Sequence, residues 1–274
     1  MSARCVTGPG RLVVLTSCLI LAGGGFVRAG ETAQELLQKA KDRYAAAKSY
    51  ECTVKVVIAY PGETYEGSGK FMVVAPDKLR IENKSTVKNE SGSLKSESLT
   101  VSDGSELWVS SKTDKGEVVT RLDLTRVKAA VTDTTFASLY LPIQGILGQL
   151  DLSVKLYDFA RAREDATGQA GCLLTGTLKK DIPADLKELS ERLGNVTPKL
   201  DILIGKDDSL AYAFISRDKE GKEVERVEYS DYKFDGAIDA KLFSYTAPKD
   251  AQVTDVTDRV LEQLPRKAAE KKEK

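Results

Sequence analysis

Apolar and polar positions change period several times along this chain. Between Leu36 and Ala47 the residues Leu36, Leu37, Ala40, Tyr44 and Ala47 recur at helical spacing and leave Lys39, Lys41, Asp42 and Lys48 to solvent, which predicts an amphipathic helix. Thr32-Ala-Gln-Glu35 has the form of a capping box, in which the Thr hydroxyl and the Glu carboxylate satisfy amide groups at the helix start. From Tyr50 the period becomes two. Tyr50, Cys52, Val54, Val56, Ile58 and Tyr60 alternate with Glu51, Thr53, Lys55, Val57 and Ala59, the signature of a half-buried strand.

Pro61-Gly62 turns the chain, and strands are expected over 69–74, 79–88, 94–101, 107–111 and 118–122. Short polar turns and no intervening helices make these an antiparallel meander. The pattern then breaks. From Thr135 to Leu150 the chain is apolar on nearly every side, although Pro142, Gly145 and Gly148 disfavour a rigid, uninterrupted helix. Phe136, Leu139, Tyr140, Ile143, Ile146, Leu147 and Leu150 must cover something, as a lid that opens or as a docked plug. Strands resume over 154–160 and 171–178, followed by a short helix with Asp185-Leu-Lys-Glu188 as its cap, Gly194 at its end and Leu186, Leu189 and Leu193 as its apolar stripe. Three more strands are expected over 199–204, 210–217 and 224–234, the last two joined by Lys219-Glu220-Gly221, and a final helix over 256–264 is stopped by Pro265. The whole is an α+β domain: a large curved antiparallel sheet with helices on one face.

The N-terminus changes the picture of where this domain works. Arg4 and Arg11 precede an apolar run from Leu12 to Val27, broken by Gly23, Gly24 and Gly25 and ending in Val27-Arg28-Ala29. This is a signal-peptide pattern with cleavage expected after Ala29. Leu15-Thr16-Ser17-Cys18 also matches a lipobox, but the richest apolar stretch follows it rather than precedes it. The expected organisation is therefore 1–29 signal peptide, 30–265 folded domain and 266–274 charged, disordered tail, in a periplasmic or secreted protein. Loss of Arg4, Arg11 and Arg28 takes the balance from 41 basic against 41 acidic residues to 38 against 41, which suggests no nucleic-acid partner. Cys5 and Cys18 leave with the signal peptide. Cys52 and Cys172 then remain in an oxidising compartment, either as a disulfide or as two buried thiols.

The chain contains no histidine, which removes Ser-His-Asp and Cys-His nucleophile activation and the commonest metal ligand together. Neither cysteine has CxxC spacing, and there is no GxSxG, P-loop or GxGxxG. Asp207-Asp208 and the pair Asp231 and Asp235 could be nominated as carboxylate pairs, but both lie at expected turns or strand ends, where Asp serves local hydrogen bonding. No enzymatic activity, metal or cofactor is expected.

Three stretches in order carry a resemblance. Gly69-Lys-Phe71-Met-Val-Val-Ala-Pro76-Asp-Lys78-Leu79-Arg80-Ile81 resembles the second and third strands of the periplasmic outer-membrane lipoprotein carrier superfamily, the LolA-like and LolB-like proteins. Val101-Ser-Asp103-Gly104-Ser-Glu-Leu107-Trp108-Val109 resembles the hairpin that follows, and Leu242-Phe243-Ser-Tyr-Thr-Ala-Pro248 the closing segment. The resemblance implies an incomplete β-barrel around a hydrophobic cavity closed by helices, receiving the acyl chains of lipoproteins or other lipids. It implies that Val54, Val56, Phe71, Val73, Leu79 and Ile81 face the cavity, with Leu36, Leu37 and Leu147 on the covering helices. Trp108, a large ring near a strand end, either packs internally or lines the cavity mouth. Alternation alone reports burial, so the same residues also read as ordinary core. Two functions follow: a carrier that shields a lipid or lipoprotein acyl chain and exchanges it with envelope membrane proteins, or an envelope sensor or interaction module on the same scaffold with a filled interior.

Overall fold

The computed structural model describes residues 31–130, 145–164 and 171–263. The expected signal peptide, Phe136, Leu139 and Ile143, and the tail from 266 lie outside these residues. Helix α1 (Ala33–Ala46) leads into six strands: β1 (Ser49–Tyr60), β2 (Glu63–Val74), β3 (Lys78–Asn89), β4 (Gly92–Ser102), β5 (Glu106–Thr113) and β6 (Gly116–Asp123). Helices α2 (Leu124–Ala130) and α3 (Gly145–Leu156) come next, then β7 (Tyr157–Glu164) and β8 (Gly171–Leu178). Helix α4 (Lys187–Val196), β9 (Lys199–Gly205), β10 (Ala211–Arg217), β11 (Glu223–Phe234), β12 (Gln252–Asp255) and α5 (Thr257–Gln263) complete the described chain.

All twelve strands form one open sheet in the order β12-β6-β5-β4-β3-β2-β1-β11-β10-β9-β8-β7. This is the expected α+β architecture of an unclosed barrel. Each pairing is antiparallel except the short β12, which lies parallel to β6 at one edge. The register from β1 to β6 runs without a bulge, so alternate residues of all six strands keep to one face throughout. At Gly69 the backbones of β2 and β3 approach so closely that a Cβ would overlap the Glu82 carbonyl.

The core lies on the inner, concave face. The Thr32–Glu35 capping box is formed, with Glu35 N donating to Thr32 Oγ1 at 3.2 Å and Thr32 N donating to Glu35 Oε2 at 2.7 Å. It starts α1, which sets Leu36, Leu37, Ala40 and Tyr44 onto Tyr50, Cys52 and Phe71 of the sheet. On the opposite, outer face the chain between β11 and β12 covers the part of the sheet around Arg80, Trp108 and Glu117. Phe243 of that strap is buried, as are Met72, Val101 and Val119 on the outer face, and Arg80 Nη1 donates to the Leu242 carbonyl at 3.0 Å.

Two element boundaries differ from those expected, and of the two alternatives for the cysteines the structure has buried thiols. Within the described residues the apolar segment opens a helix at Gly145, which sits at φ +64° against Tyr50, a backbone conformation that lies outside the right-handed helical region. That helix runs on to Leu156, so the expected strand at 154–160 begins only at Tyr157. Helix α4 starts at Lys187 after a 3-10 turn, with Leu186 at its N-cap and no side-chain cap bond, and it continues past Gly194 to Val196. Cys52 and Cys172 do not form a disulfide with each other. They stand on β1 and β8, with β11, β10 and β9 between them. Four strand spacings of about 4.8 Å place them well beyond the reach of about 7 Å that a disulfide requires.

Candidate functional site

The register turns the inner face of β1–β6 into rows that cross the strands. The first joins Tyr50, Val73, Leu79, Ser102, Leu107 and Leu122, and the second joins Cys52, Phe71, Ile81, Thr100, Val109 and Thr120. On the far side of β1 the apolar floor continues through Tyr229 and Val227 of β11 and Phe214 of β10.

Helix α3 rests on this floor. Ile146 and Leu150 are completely buried, Leu147 is half-buried against the core, and Lys155 is the helix's one exposed residue. Its polar contacts are few. Tyr50 accepts a hydrogen bond from Ile146 N at 3.0 Å, Tyr229 donates its hydroxyl to Gln149 Oε1 at 3.1 Å, Lys41 of α1 pairs with Asp151 at 2.7 Å, and Lys179 donates its Nζ to the Val154 carbonyl at 2.7 Å and its backbone N–H to the Leu156 carbonyl at 2.8 Å. Burial raises the Tyr50 and Tyr229 hydroxyls well above their ordinary range, so both stay protonated. The Cys52 thiol between them is pushed up to about 12, first by desolvation and then by the nearby Glu51 charge. It is an inert core thiol rather than a nucleophile.

The expected lining residues are therefore brought together. Leu36, Leu37, Val54, Phe71, Leu79, Ile146 and Leu150 are buried in one cluster, with Val56, Val73, Ile81 and Leu147 partly buried against it. Trp108 is not among them. It pairs with Val101 and Arg121 on the outer face, where its ring lies 5.6 Å from that of Tyr245 in the strap and its Nε1 donates to Glu106 at 3.0 Å. Alternation from Leu107, which faces inward, would have placed it there.

Sequence reasoning missed the next two rows outward. Val54, Gly69, Asn83, Ser98, Ser111 and Val118 form one, and Val56, Gly67, Ser85 and Ser96 the other. They make a hydroxyl and amide band, in which Ser85 and Ser96 share a hydrogen bond at 2.8 Å and Asn83 Nδ2 donates to the Tyr65 hydroxyl at 2.6 Å. The Asn83 carbonyl oxygen is buried without a hydrogen-bond partner. Beyond the band, Ile58, Tyr65, Val87 and Leu94 restore an apolar row, and Leu94 is exposed. The signal for the band was the period-two spacing of Ser96 and Ser98, which Thr100 and Ser102 carry on into the floor rows.

The outer face carries a trough of about 570 Å³, floored by Leu173, Leu203, Ala213 and Ile215 and rimmed by Lys55, Arg217, Arg226 and Glu228. The carboxylates nominated as catalytic pairs serve turns: Asp208 accepts from Leu210 N at 3.0 Å and from the Tyr212 hydroxyl, while Asp235 accepts from Lys48 N at 2.8 Å. Among the described residues no three metal-ligating side chains converge, and no helix is long and apolar enough to cross a membrane.

No family model matches this sequence, and no curated protein matches it. Solved structures similar in fold include an uncharacterised conserved protein from Thermus thermophilus, at 15% identity and a TM-score of 0.45, covering 81% of this chain and 98% of that one. LprF from Mycobacterium bovis is 13% identical with a TM-score of 0.42, covering 80% and 97%. A LolA superfamily protein from Nitrosomonas europaea is 13% identical with a TM-score of 0.28, covering 79% and 99%.

Proposed function

We propose that this chain is an exported, non-enzymatic carrier that shields the acyl chain of a lipid or lipoprotein against the inner face of its sheet, with α3 as the part that gives way. One observation carries the reading: a helix apolar on nearly every side lies on an apolar part of the sheet, and among the described residues its polar ties come from four residues only, Tyr50, Tyr229, Lys41 and Lys179. Displacing it would uncover Val54, Phe71, Leu79 and Tyr229 together. Each methylene of a ligand buried in its place is worth about 0.8 kcal/mol, so a single acyl chain could offset the displaced contacts. Donors and acceptors of such a cargo would be membrane proteins of the envelope.

The test is uptake of a fluorescent acyl probe by the mature protein, together with native mass spectrometry of protein purified from its own envelope. Leu147→Asp is the informative variant because Leu147 is only half-buried. It should weaken uptake about tenfold and lower the unfolding midpoint little. Ile146→Asp places a charge at a fully buried position and should simply unfold the domain. Absence of both probe uptake and co-purifying lipid would leave the second reading, an interaction module with a filled interior, whose support is the apolar trough on the outer face.

A further inference from the structure

Charge is partitioned across this sheet without exception over a large area. From the row of Tyr50 to the row of Ile58, no charged side chain stands on the inner face of β1–β6 among the described residues. Every charged residue of those strands in that span, including Glu66, Lys70, Arg80, Glu82, Lys84, Glu97, Lys112 and Arg121, points outward, where Arg80 pairs with Glu82, Lys84 with Glu97 and Lys88 with Glu66. An inner face that were simply the wall of a core would be apolar throughout. This one carries Asn83, Ser85, Ser96, Ser98 and Ser111 between an apolar floor and an apolar outer row. Within the band, the Asn83 carbonyl oxygen stands directly over Gly67, buried and lacking a donor.

Resting on the carrier reading, we infer that this inner face selects lipids whose polar part is uncharged and brings an N–H or O–H donor, over fatty-acid anions, and that Asn83, Ser98 and Ser111 make the selection. An acyl chain on the floor places its polar end at the band. A glycerol hydroxyl or an amide N–H there can donate to Asn83 and exchange hydrogen bonds with the serines. A carboxylate brings only acceptors, leaves the Asn83 oxygen without a donor and finds no cation on the face to offset its desolvation.

Three probes with the same fluorophore and chain length test this at pH 8: a monoacylglycerol, an N-acylethanolamine and the free fatty-acid anion. Both neutral probes should bind the wild-type protein at least about tenfold tighter than the anion, the cost of one poorly compensated charge. Ser98→Lys should abolish or reverse that ratio, and Ser98→Asn, which keeps hydrogen bonding without charge, should preserve it. Should Ser98→Lys fail to fold by circular dichroism, Ser111→Lys puts the same charge at an exposed position of the same row. Equal binding of anion and neutral probes by the wild type overturns the inference, as does a folded lysine variant with an unchanged ratio. Failure of the wild type to bind any of the three overturns the carrier reading itself, and the selectivity with it.

Discussion

Ile146 donates its backbone N–H to the hydroxyl oxygen of Tyr50 at 3.0 Å, and this bond ties the first turn of α3 to the first row of the sheet. Helix starts leave amide groups without partners, and here a buried phenol from β1 takes the place of a capping side chain. Tyr50→Phe should therefore cost about 1–3 kcal/mol, the penalty of a buried unsatisfied donor, read from the urea unfolding midpoint at unchanged slope. A loss below the error of that measurement would mean the amide finds another partner.

Gly145 precedes that amide at φ +64°, and a Cβ on it would overlap the Tyr50 hydroxyl. Gly145→Ala combines backbone strain with this overlap and should destabilise by about 1–3 kcal/mol. The two sites are coupled. In the double variant Gly145→Ala with Tyr50→Phe the clashing oxygen is gone, so the combined loss should fall short of the sum of the single losses.

Burial gives the domain an alkaline limit. Cys52 ionises from its ordinary 9.0 in the unfolded chain and holds its proton to about 12 in the folded one. Tyr157 rises from 10.0 to about 12 through desolvation, as does Tyr212, whose neighbour Asp208 adds to the effect. Between those values the unfolded state binds fewer protons, so stability is full below pH 9 and falls as pH rises toward 12. Cys52→Ala should move the onset of the decline from near pH 9 to near pH 10, where the tyrosines begin to titrate. Denaturant midpoints measured from pH 8 to 11 would check this.

Trp108, the only tryptophan in the chain, reports on the strap and not on the inner face. Phe243→Ala should loosen the strap, shift Trp108 emission to the red and cost about 3 kcal/mol. Binding of an unlabelled monoacylglycerol should leave Trp108 emission unchanged. A ligand-induced shift would place binding on the outer face.

Alternation made the meander from β1 to β6 legible, because one buried face imposes period two and the turns carry their own residues, such as Asp103-Gly104. Asp103 Oδ1 accepts from Ser105 N and Glu106 N at 2.8 and 2.9 Å, and Gly104 adopts φ +98°. The start of helix α3 was not legible, because glycine lowers helix propensity in isolation whereas Gly145 is what lets the chain approach Tyr50. β12 was invisible for a different reason. It has four residues, all exposed, and owes its pairing to the neighbouring β6 and to Arg121, which bonds Asp255 at 2.6 Å. The apolar half of the site could be picked out residue by residue, since burial and alternation coincide there. The hydroxyl band could not, because serine at period two reads equally as a solvated face until the register shows which side it occupies.

The pairing of β1 with β11 has a consequence for how the protein is made. It is the one seam between two locally connected halves, β1–β6 and β7–β11, and it joins Val56 to Val227 across most of the chain. Neighbouring hairpins on either side can form as they are synthesised, but β1 keeps one bare edge until β11 exists. Loop closure on that scale is slow, and the exposed edge is an invitation to mispair. A chain with this order of strands can close its seam only once the last long strand has been made, so protection of the β1 edge until then decides how much of it reaches the native pairing.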